Sequence, residues 1–185
     1  MDELELRVDA AAERRPVYIR QVAHGDLESL HGVDLVVFGE LAYPYFALRQ
    51  LIDVHFRHFL VADAGPDLPG VAPDLLGYVL AAHAAQAPEA WLLGLGVRPD
   101  MRRRGYGRML FERCMAGLRR DGAGLVRLTV EPGNHPAIRL YESSGFRIQD
   151  LQRDYYGPGE HRYCMSVSLD SLRPERHVRN TVEGR

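Results

Sequence analysis

The stretch from Trp91 to Val130 constrains the fold more than any other part of the sequence. It opens with a nearly continuous apolar run, WLLGLGV, which predicts a strand buried on both faces. A helix is predicted over 105–120, because apolar residues recur there at helical spacing, and a strand follows over 125–130. A strand–helix–strand crossover is almost always right-handed and makes its two strands parallel. The chain is therefore predicted to contain a sheet covered by helices.

The flanking segments add further strands and helices to this unit. Upstream, the pattern predicts a strand over 17–22, a helix capped by Asp26, a second helix over 45–56, and strands over 58–62 and 75–82. Downstream it predicts a helix over 135–144, ended by Gly145, and two strands over 146–154 and 162–169. The predicted fold class is α/β (α+β), a single domain with a mixed sheet of about six or seven strands flanked by about four helices.

Composition sets the limits of the domain and excludes several classes of partner. Residues 1–15 and 173–185 are polar and aperiodic, so both are predicted to be tails of a domain that spans 16–172. No apolar run reaches the length of a membrane span and no secretory pattern is present, so a cytoplasmic protein without a membrane partner is expected. A net charge of −2 gives no field that would attract nucleic acid. All 23 Lys+Arg positions are arginine, a bias typical of GC-rich bacterial coding.

The two cysteines indicate neither a disulfide framework nor a metal site. Cys114 and Cys164 lie 50 residues apart, without a CxxC pair or a histidine at ligand spacing. Two unpaired thiols and no metal are therefore expected.

The segment Arg98–Leu110, RPDMRRRGYGRML, is a basic, glycine-rich turn between the buried strand and the central helix. Free N–H groups at a helix start and the helix dipole both favour an anion, and Gly105 and Gly107 allow it to approach the main chain. The dinucleotide spacing fails at Leu110, and a P-loop is impossible without lysine. Positive charge comes from four arginines, Arg102, Arg103, Arg104 and Arg108. The turn predicts a phosphate site, with a solvated surface loop as the alternative when it is considered alone.

A second segment, NHPAIRLYESSGF over 134–146, follows the strand 125–130. Ala137, Leu140 and Tyr141 share one helical face, so Tyr141 is predicted to face the sheet. Considered alone, Tyr141 is equally typical of a core residue, and Asn134 of a helix N-cap.

Together, the two segments resemble the GCN5-related N-acetyltransferase (GNAT) family. This family couples a turn of the form R/Q-x-x-G-x-G/A to a downstream N-x-x-A-x-x-x-Y-x-x-x-G-F stretch. The matching residues here are Arg102, Gly105 and Gly107, followed by Asn134, Ala137, Tyr141, Gly145 and Phe146. The resemblance spans residues 91–169.

The resemblance implies a sheet that splays between the strand ending at Val97 and the strand 125–130, with acetyl-CoA as co-substrate in the opening. The main chain around Leu95, Gly96 and Val97 would bind the pantetheine arm, which would explain the glycines of WLLGLGV, and the Val97 N–H would polarise the acetyl carbonyl. Asn134 would contact the cofactor arm. The pyrophosphate would lie on the backbone of Arg103, Arg104, Gly105, Tyr106, Gly107 and Arg108.

The implied reaction is direct attack of an uncharged primary amine on the thioester. Tyr141 is the predicted acid for the departing thiolate, because a tyrosine with a pKa near about 10 is protonated at neutral pH. The amine must also lose a proton. This costs less for an α-amine, with a pKa of about 8, than for a lysine side chain at about 10.4.

The last hairpin is similar to that of protein N-terminal acetyltransferases, including the bacterial ribosomal-protein alanine acetyltransferases. Its matching residues are Tyr155, Tyr156 and Met165. The bacterial group usually has an acidic residue where this chain has Thr129, so the expected base is missing there. Glu131 has the same strand parity and is the predicted base, directly or through water, and His83 and Glu89 are weaker candidates.

The resemblance implies that five residues line the acceptor site: Tyr43, Tyr45, Phe46, Thr129 and Tyr155. The segment YPYF over 43–46 is equally typical of core packing. The acceptor itself stays open between a peptide N-terminus and a small amine such as a polyamine, an amino acid or an antibiotic. A non-catalytic acetyl-CoA sensor is a further alternative. A monomer or a homodimer fits the sequence equally well.

Overall fold

The computed structural model describes residues 16–65, 73–84 and 87–169. The predicted tails 1–15 and 173–185, and most of the loop between the second and third strands, lie outside these ranges. The strands are β1 (Tyr18–Gln21), β2 (Phe59–Asp63), β3 (Leu75–His83), β4 (Glu89–Val97), β5 (Leu125–Val130), β6 (Arg147–Gln152) and β7 (Arg162–Ser168). The α-helices are α1 (Leu27–Phe38), α2 (Tyr45–His55), α3 (Tyr106–Arg120) and α4 (His135–Ser143).

The seven strands form one mixed sheet in the order β1-β2-β3-β4-β5-β7-β6. Neighbouring strands are antiparallel except β4 and β5, which are parallel and joined through α3. This pair is the predicted crossover. The predicted fold class is confirmed, because the sheet is mixed and helices pack on both of its faces.

Two apolar clusters hold the helices on opposite faces of the sheet. On one face, Leu110 and Leu118 of α3 pack with Val79 of β3 and Leu128 of β5. On the other face, side chains of α1 and α2 pack with β2 and β3, among them Leu30, Leu48, Phe59 and Tyr78. Among the described residues, α1 and α2 cover only the β1–β4 half of their face.

Two local predictions were wrong. The strand WLLGLGV is not buried on both faces: Leu93 is 36% exposed at an irregularity in the β3–β4 register, because β5 does not accompany this end of β4. Asp26 makes no side-chain cap for α1. Its carboxylate instead accepts hydrogen bonds from Arg20, at 2.6 and 2.7 Å, and from the Ala23 N–H, at 2.8 Å. Gly145, with φ of 92°, ends α4 as predicted.

Candidate active site

The parallel ladder between β4 and β5 ends well before either strand does. It runs from the pair Glu89–Leu125 to the pair Leu92–Leu128, whereas β4 continues to Val97 and β5 to Val130. The ends of the two strands therefore diverge and leave an opening in the middle of the sheet. This is the splay predicted between Val97 and Val130.

The hydrogen-bond pattern of β3 determines which main-chain groups face the opening. The Arg98 N–H donates to the Leu76 carbonyl at 2.9 Å, so this pair is hydrogen-bonded, and the next such pair along the ladder is Gly96 with Tyr78. Leu95 and Val97 lie between these positions, so their N–H and C=O groups point away from β3 and into the opening. Gly96 uses its own main-chain groups in the ladder, contrary to the prediction that it would present them to a ligand.

The glycines of β4 make room for the protein's own side chains. A Cβ on Gly96 would lie 2.8 Å from Val37 and 3.1 Å from Phe38 of α1, and a Cβ on Gly94 would lie 3.3 Å from the Tyr78 ring. The close neighbours in α1 and β3 thus account for these glycines, and approach by acetyl-CoA stays a prediction.

The turn before α3 presents a cluster of free N–H groups. The first helical bond runs from Met109 to Gly105 at 3.0 Å, so Tyr106, Gly107 and Arg108 have no carbonyl partner within the helix. Arg103 and Gly105 both have positive φ, 62° and 89°, which bends the main chain into a concave nest. This arrangement fits a pyrophosphate.

The arginines of the turn differ in how they are held. Arg102 donates through Nε to the Val97 carbonyl at 3.1 Å, which ties the turn to the end of β4. Arg108 lies 3.5 Å from Glu112 and reaches Ser143 of α4 at 3.4 Å. Arg103 and Arg104 are exposed and make no side-chain hydrogen bond with the residues that the structure describes.

Tyr141 is directed into the core, as predicted, and is 6% exposed. Its ring centroid lies 5.7 Å from that of Phe111 and 5.9 Å from that of Phe146. Burial raises the pKa of Tyr141 well above its usual value, so the phenol stays protonated at neutral pH. Asn134 caps α4 by accepting the Ala137 N–H at 3.2 Å, which leaves its amide group available to donate.

Three residues that are distant in sequence meet beside the opening. Thr129 Oγ1 of β5 lies 3.2 Å from the hydroxyl of Tyr156 in the β6–β7 connection. Burial raises the pKa of Tyr43, and electrostatic interaction with Tyr156 and Asp34 raises it further, so we group Tyr43 with this pair. Tyr43, Thr129 and Tyr156 will be called the acceptor wall.

Tyr156 is a site residue that the sequence analysis did not select. The tyrosine pair was recognised, but only the fold shows which member faces β5. The predicted Tyr155 is 41% exposed and lies edge-on against Tyr156, with ring centroids 4.8 Å apart. Arg162 supports Tyr156 from β7, with its guanidinium carbon 4.9 Å from the ring centroid.

The structure does not bring Tyr45 and Phe46 to the acceptor wall. Both lie in the first turn of α2 and are 49% and 66% exposed, and the Tyr45 ring packs edge-on against His31 with centroids 5.3 Å apart. Their neighbour Tyr43 is the member of this segment that reaches the site.

The three predicted bases occupy different surroundings. Glu131 is exposed just beyond the end of β5, and its carbonyl accepts the Asn134 N–H at 3.0 Å. Glu89 is bonded to Arg127 at 2.9 Å and to Trp91 at 2.8 Å, and these bonds lower its pKa. His83 is bonded to the Ala87 carbonyl at 2.8 Å. Glu89 and His83 lie at the paired end of β4, away from the opening, which leaves Glu131 as the candidate.

The described ranges contain neither a candidate metal site nor a candidate membrane span. No three histidine, cysteine or acidic side chains in these ranges are grouped so as to hold a metal ion. None of the helices in the same ranges has the length and apolar character that a membrane crossing requires.

Comparison with known proteins is consistent with this geometry. The model of the Acetyltransferase (GNAT) family matches residues 26–146. The ribosomal protein bS18-alanine N-acetyltransferase of Salmonella typhimurium is 44% identical over 68 residues, which are 37% of this chain and 46% of that protein. The chain therefore spans about half the length of the first curated relatives that it matches.

Two further comparisons cover more of the chain. An N-alpha-acetyltransferase of Sulfurisphaera tokodaii is 26% identical over 162 residues, covering 82% of this chain and 92% of that protein. The crystal structure of Ard1 from Thermoplasma volcanium superposes with a TM-score of 0.71 at 24% identity, covering 82% of this chain and 97% of that one. The latter likeness shows the fold.

Proposed function

The chain belongs to the acetyltransferase (GNAT) family, and from this premise we propose that it transfers the acetyl group of acetyl-CoA to the α-amine of a peptide or protein N-terminus. The opening between β4 and β5 carries the proposal. The free N–H groups of residues 103–108, here called the anion cradle, lie at one end of it, and the acceptor wall lies at the other. The relatives support the choice of acceptor, since they are named as N-alpha and ribosomal-protein alanine acetyltransferases.

On the donor side, the N–H groups of residues 103–108 bind the pyrophosphate, and Arg102, Arg103, Arg104 and Arg108 supply charge. The main-chain groups of Leu95 bond the pantetheine arm, since the ladder leaves them unpaired on the side of the opening, whereas the Val97 carbonyl accepts Arg102. The Val97 N–H donates to the acetyl oxygen and stabilises the negative charge that develops there. Asn134 offers its amide group to the same arm.

The chemistry requires two proton transfers. The amine nitrogen forms a bond to the acetyl carbon, the carbon–sulfur bond breaks, and the sulfur leaves as a thiolate. Tyr141 gives this thiolate its proton, and its raised pKa keeps it protonated until that moment. Glu131 takes the proton of the amine, directly or through a water. The products are an N-acetyl peptide and the free thiol.

On the acceptor side, the phenols of Tyr43 and Tyr156 with the hydroxyl of Thr129 provide polar groups around the incoming amine. Hydroxyl groups can both donate to and accept from an N-terminal backbone, which carries one amine and a series of amide groups. An α-amine also suits a site with a single exposed carboxylate as its base, because it loses its proton more readily than a lysine side chain.

The proposal is tested with acetyl-CoA and three probes at neutral pH: a short peptide with N-terminal alanine, the same peptide N-terminally blocked and carrying one internal lysine, and spermidine. Free thiol and product mass are followed, and fragmentation locates the acetyl group. We expect acetylation of the free peptide at its α-amine alone.

Transfer only to spermidine would replace the proposal with a small-amine acetyltransferase. A thermal shift with acetyl-CoA and no thiol release with any probe would favour the sensor alternative. If Tyr141→Phe acetylated the peptide at the wild-type rate, Tyr141 would be excluded as the acid. The identification of the α-amine as the acceptor would still hold.

A further inference from the structure

Asp34 of α1 is fully buried, and the proposed reaction gives it no role. The described residues include four buried polar or charged side chains: Asp26, Asp34, His58 and Arg162. Asp26 is paired with Arg20, His58 with Asp121 and Arg162 with Glu160. Asp34 is the member of this set without an ion pair in the described ranges. A buried carboxylate without a cation is costly, so its retention calls for an explanation.

The two oxygens of Asp34 join two separate elements. Oδ2 accepts the N–H of Tyr43, in the α1–α2 connection, at 2.6 Å. Oδ1 accepts the hydroxyl of Tyr78, which is also fully buried in β3. The Asp34 carboxylate is therefore the polar link between the α1–α2 connection and the sheet beneath it.

Both ends of this link lead to the site. Tyr43 is a member of the acceptor wall, and its neighbour Pro44 restricts it to an extended backbone, so one hydrogen bond at its N–H orients the residue. Tyr78 pairs with Gly96 in the ladder, and its ring lies against Gly94 in the donor strand β4. The link thus spans from the donor strand to the acceptor wall.

Burial of the carboxylate has a cost that its surroundings do not fully offset. Burial is the main cause that raises the pKa of Asp34, and the bonds from Tyr78 and Tyr43 and the charge of the nearby His31 oppose it only in part. For a carboxyl whose folded pKa is raised, the ionised form costs stability above that pKa, and the cost is relieved as the pH falls through it. Ionised Asp34 therefore stabilises the fold less at neutral pH than its protonated form would at a pH below the raised pKa.

We propose that Asp34 is a positioning residue that holds Tyr43 of the acceptor wall at a fixed distance from the donor strand β4. The inference rests on the proposed function and extends it to a residue that touches neither substrate. It implies that loss of Asp34 impairs use of the acceptor and leaves binding of acetyl-CoA unchanged, because the anion cradle and the main chain of Leu95 and Val97 do not depend on it.

The first experiment compares Asp34→Ala with Asp34→Asn in steady-state kinetics with the alanine peptide. We expect the alanine variant to raise the KM for the peptide about tenfold, with the KM for acetyl-CoA changed less than about twofold. The asparagine variant should restore the wild-type KM, since its amide oxygen can accept from Tyr43 N–H while its amide group donates to the Tyr78 hydroxyl.

Asp26→Ala is the matched control, because Asp26 is a carboxylate of similar burial at the start of the same helix and has no contact with the acceptor wall. It should lower the melting temperature without changing either KM. An equal rise in the peptide KM for Asp26→Ala, or no rise for a folded Asp34→Ala, would overturn the proposal.

Hydrogen exchange at the Tyr43 amide gives a readout that does not depend on activity. We expect slow exchange in the wild type and in Asp34→Asn, and faster exchange in Asp34→Ala. If the alanine variant does not fold, Tyr78→Phe replaces it, because this change removes one of the two donors and should give an intermediate exchange rate and peptide KM. A wild type that acetylates no peptide would refute the proposed function, while unchanged Tyr43 exchange in these variants would refute the role of Asp34.

Discussion

The donor side of the opening consists mainly of main-chain groups, whereas the acceptor side consists of side chains. The donor side is mainly main chain from one continuous segment, in which the end of β4 is followed by the turn and the first N–H groups of α3. The acceptor wall consists of side chains from three distant elements, represented by Tyr43, Thr129 and Tyr156. In the proposed site, main-chain groups of one turn recognise the phosphate-bearing donor, whereas side chains on three elements recognise the acceptor. The comparison teaches that a change of acceptor would require only new side chains, whereas a change of donor would require a new backbone.

Of the predicted changes, replacement of Tyr141 should lower the rate most. It tests whether Tyr141 protonates the thiolate that leaves the donor. Tyr141→Phe removes the proton donor for the thiolate while preserving the ring between Phe111 and Phe146. We expect kcat to fall about 1,000-fold, with both KM values and the melting temperature nearly unchanged. Stopped-time thiol release at saturating substrates measures this. Tyr163→Phe, in a half-buried tyrosine of the same core, should leave kcat unchanged, and wild-type turnover of Tyr141→Phe would remove the acid from the mechanism.

Binding of acetyl-CoA by the turn before α3 is tested by placing a side chain at Gly105, where the backbone favours glycine. Gly105→Val puts a β-branched residue at φ of 89° and covers the free N–H groups. We expect kcat/KM for acetyl-CoA to fall about 100-fold and stability to fall by about 1–2 kcal/mol. Calorimetric titration with acetyl-CoA separates the two effects.

Gly122→Val is the control for Gly105→Val, since Gly122 has φ of 94° and, like Gly105, no heavy atom within 4 Å of an added Cβ. It lies after the opposite end of α3 and should cost the same stability without changing affinity. If both variants lost acetyl-CoA equally, strain in α3 rather than the anion cradle would be the cause.

The same contrast explains what could be predicted from the sequence. The strand Leu125–Val130 was predicted at its observed bounds, and the start and end of α3 within one residue. Both predictions rest on local signals, namely the spacing of apolar residues and the glycines that mark the ends of elements. These features belong mostly to the donor side.

Features that depend on long-range contacts were missed or misread. Tyr155 was selected instead of Tyr156, because the hairpin alone does not show which tyrosine faces β5. Gly94 and Gly96 were assigned to a ligand, and their close contacts with Tyr78 and α1 were not predicted. Asp34 was not selected at all, since its partner Tyr78 is 44 residues away and a lone aspartate in a helix is more typical of a solvated position.

Glu131 should show a smaller effect than Tyr141 or Gly105. Glu131→Gln keeps the size of the side chain and removes its basicity, and an α-amine still loses its proton to water with a modest barrier. We expect kcat/KM for the peptide to fall about tenfold at neutral pH and to recover as the pH rises past the amine pKa of about 8. A pH–rate profile tests this. Glu28→Gln, an exposed carboxylate in α1, is the control, and a deficit that persisted unchanged at high pH would argue against a role in proton removal.

The smallest effect is expected for Tyr156→Phe, which should change the KM for the acceptor but not the KM for the donor. Tyr156→Phe removes the hydroxyl that meets Thr129 and leaves the ring under Arg162. Because one polar group around the incoming amine is lost, the KM for the peptide should rise about fivefold, equivalent to about 1 kcal/mol, while the KM for acetyl-CoA stays constant. Tyr155→Phe should change neither value, since the Tyr155 hydroxyl makes no hydrogen bond with the described residues. A rise in the KM for acetyl-CoA with Tyr156→Phe would contradict the division, because it would show that the acceptor wall also holds the donor.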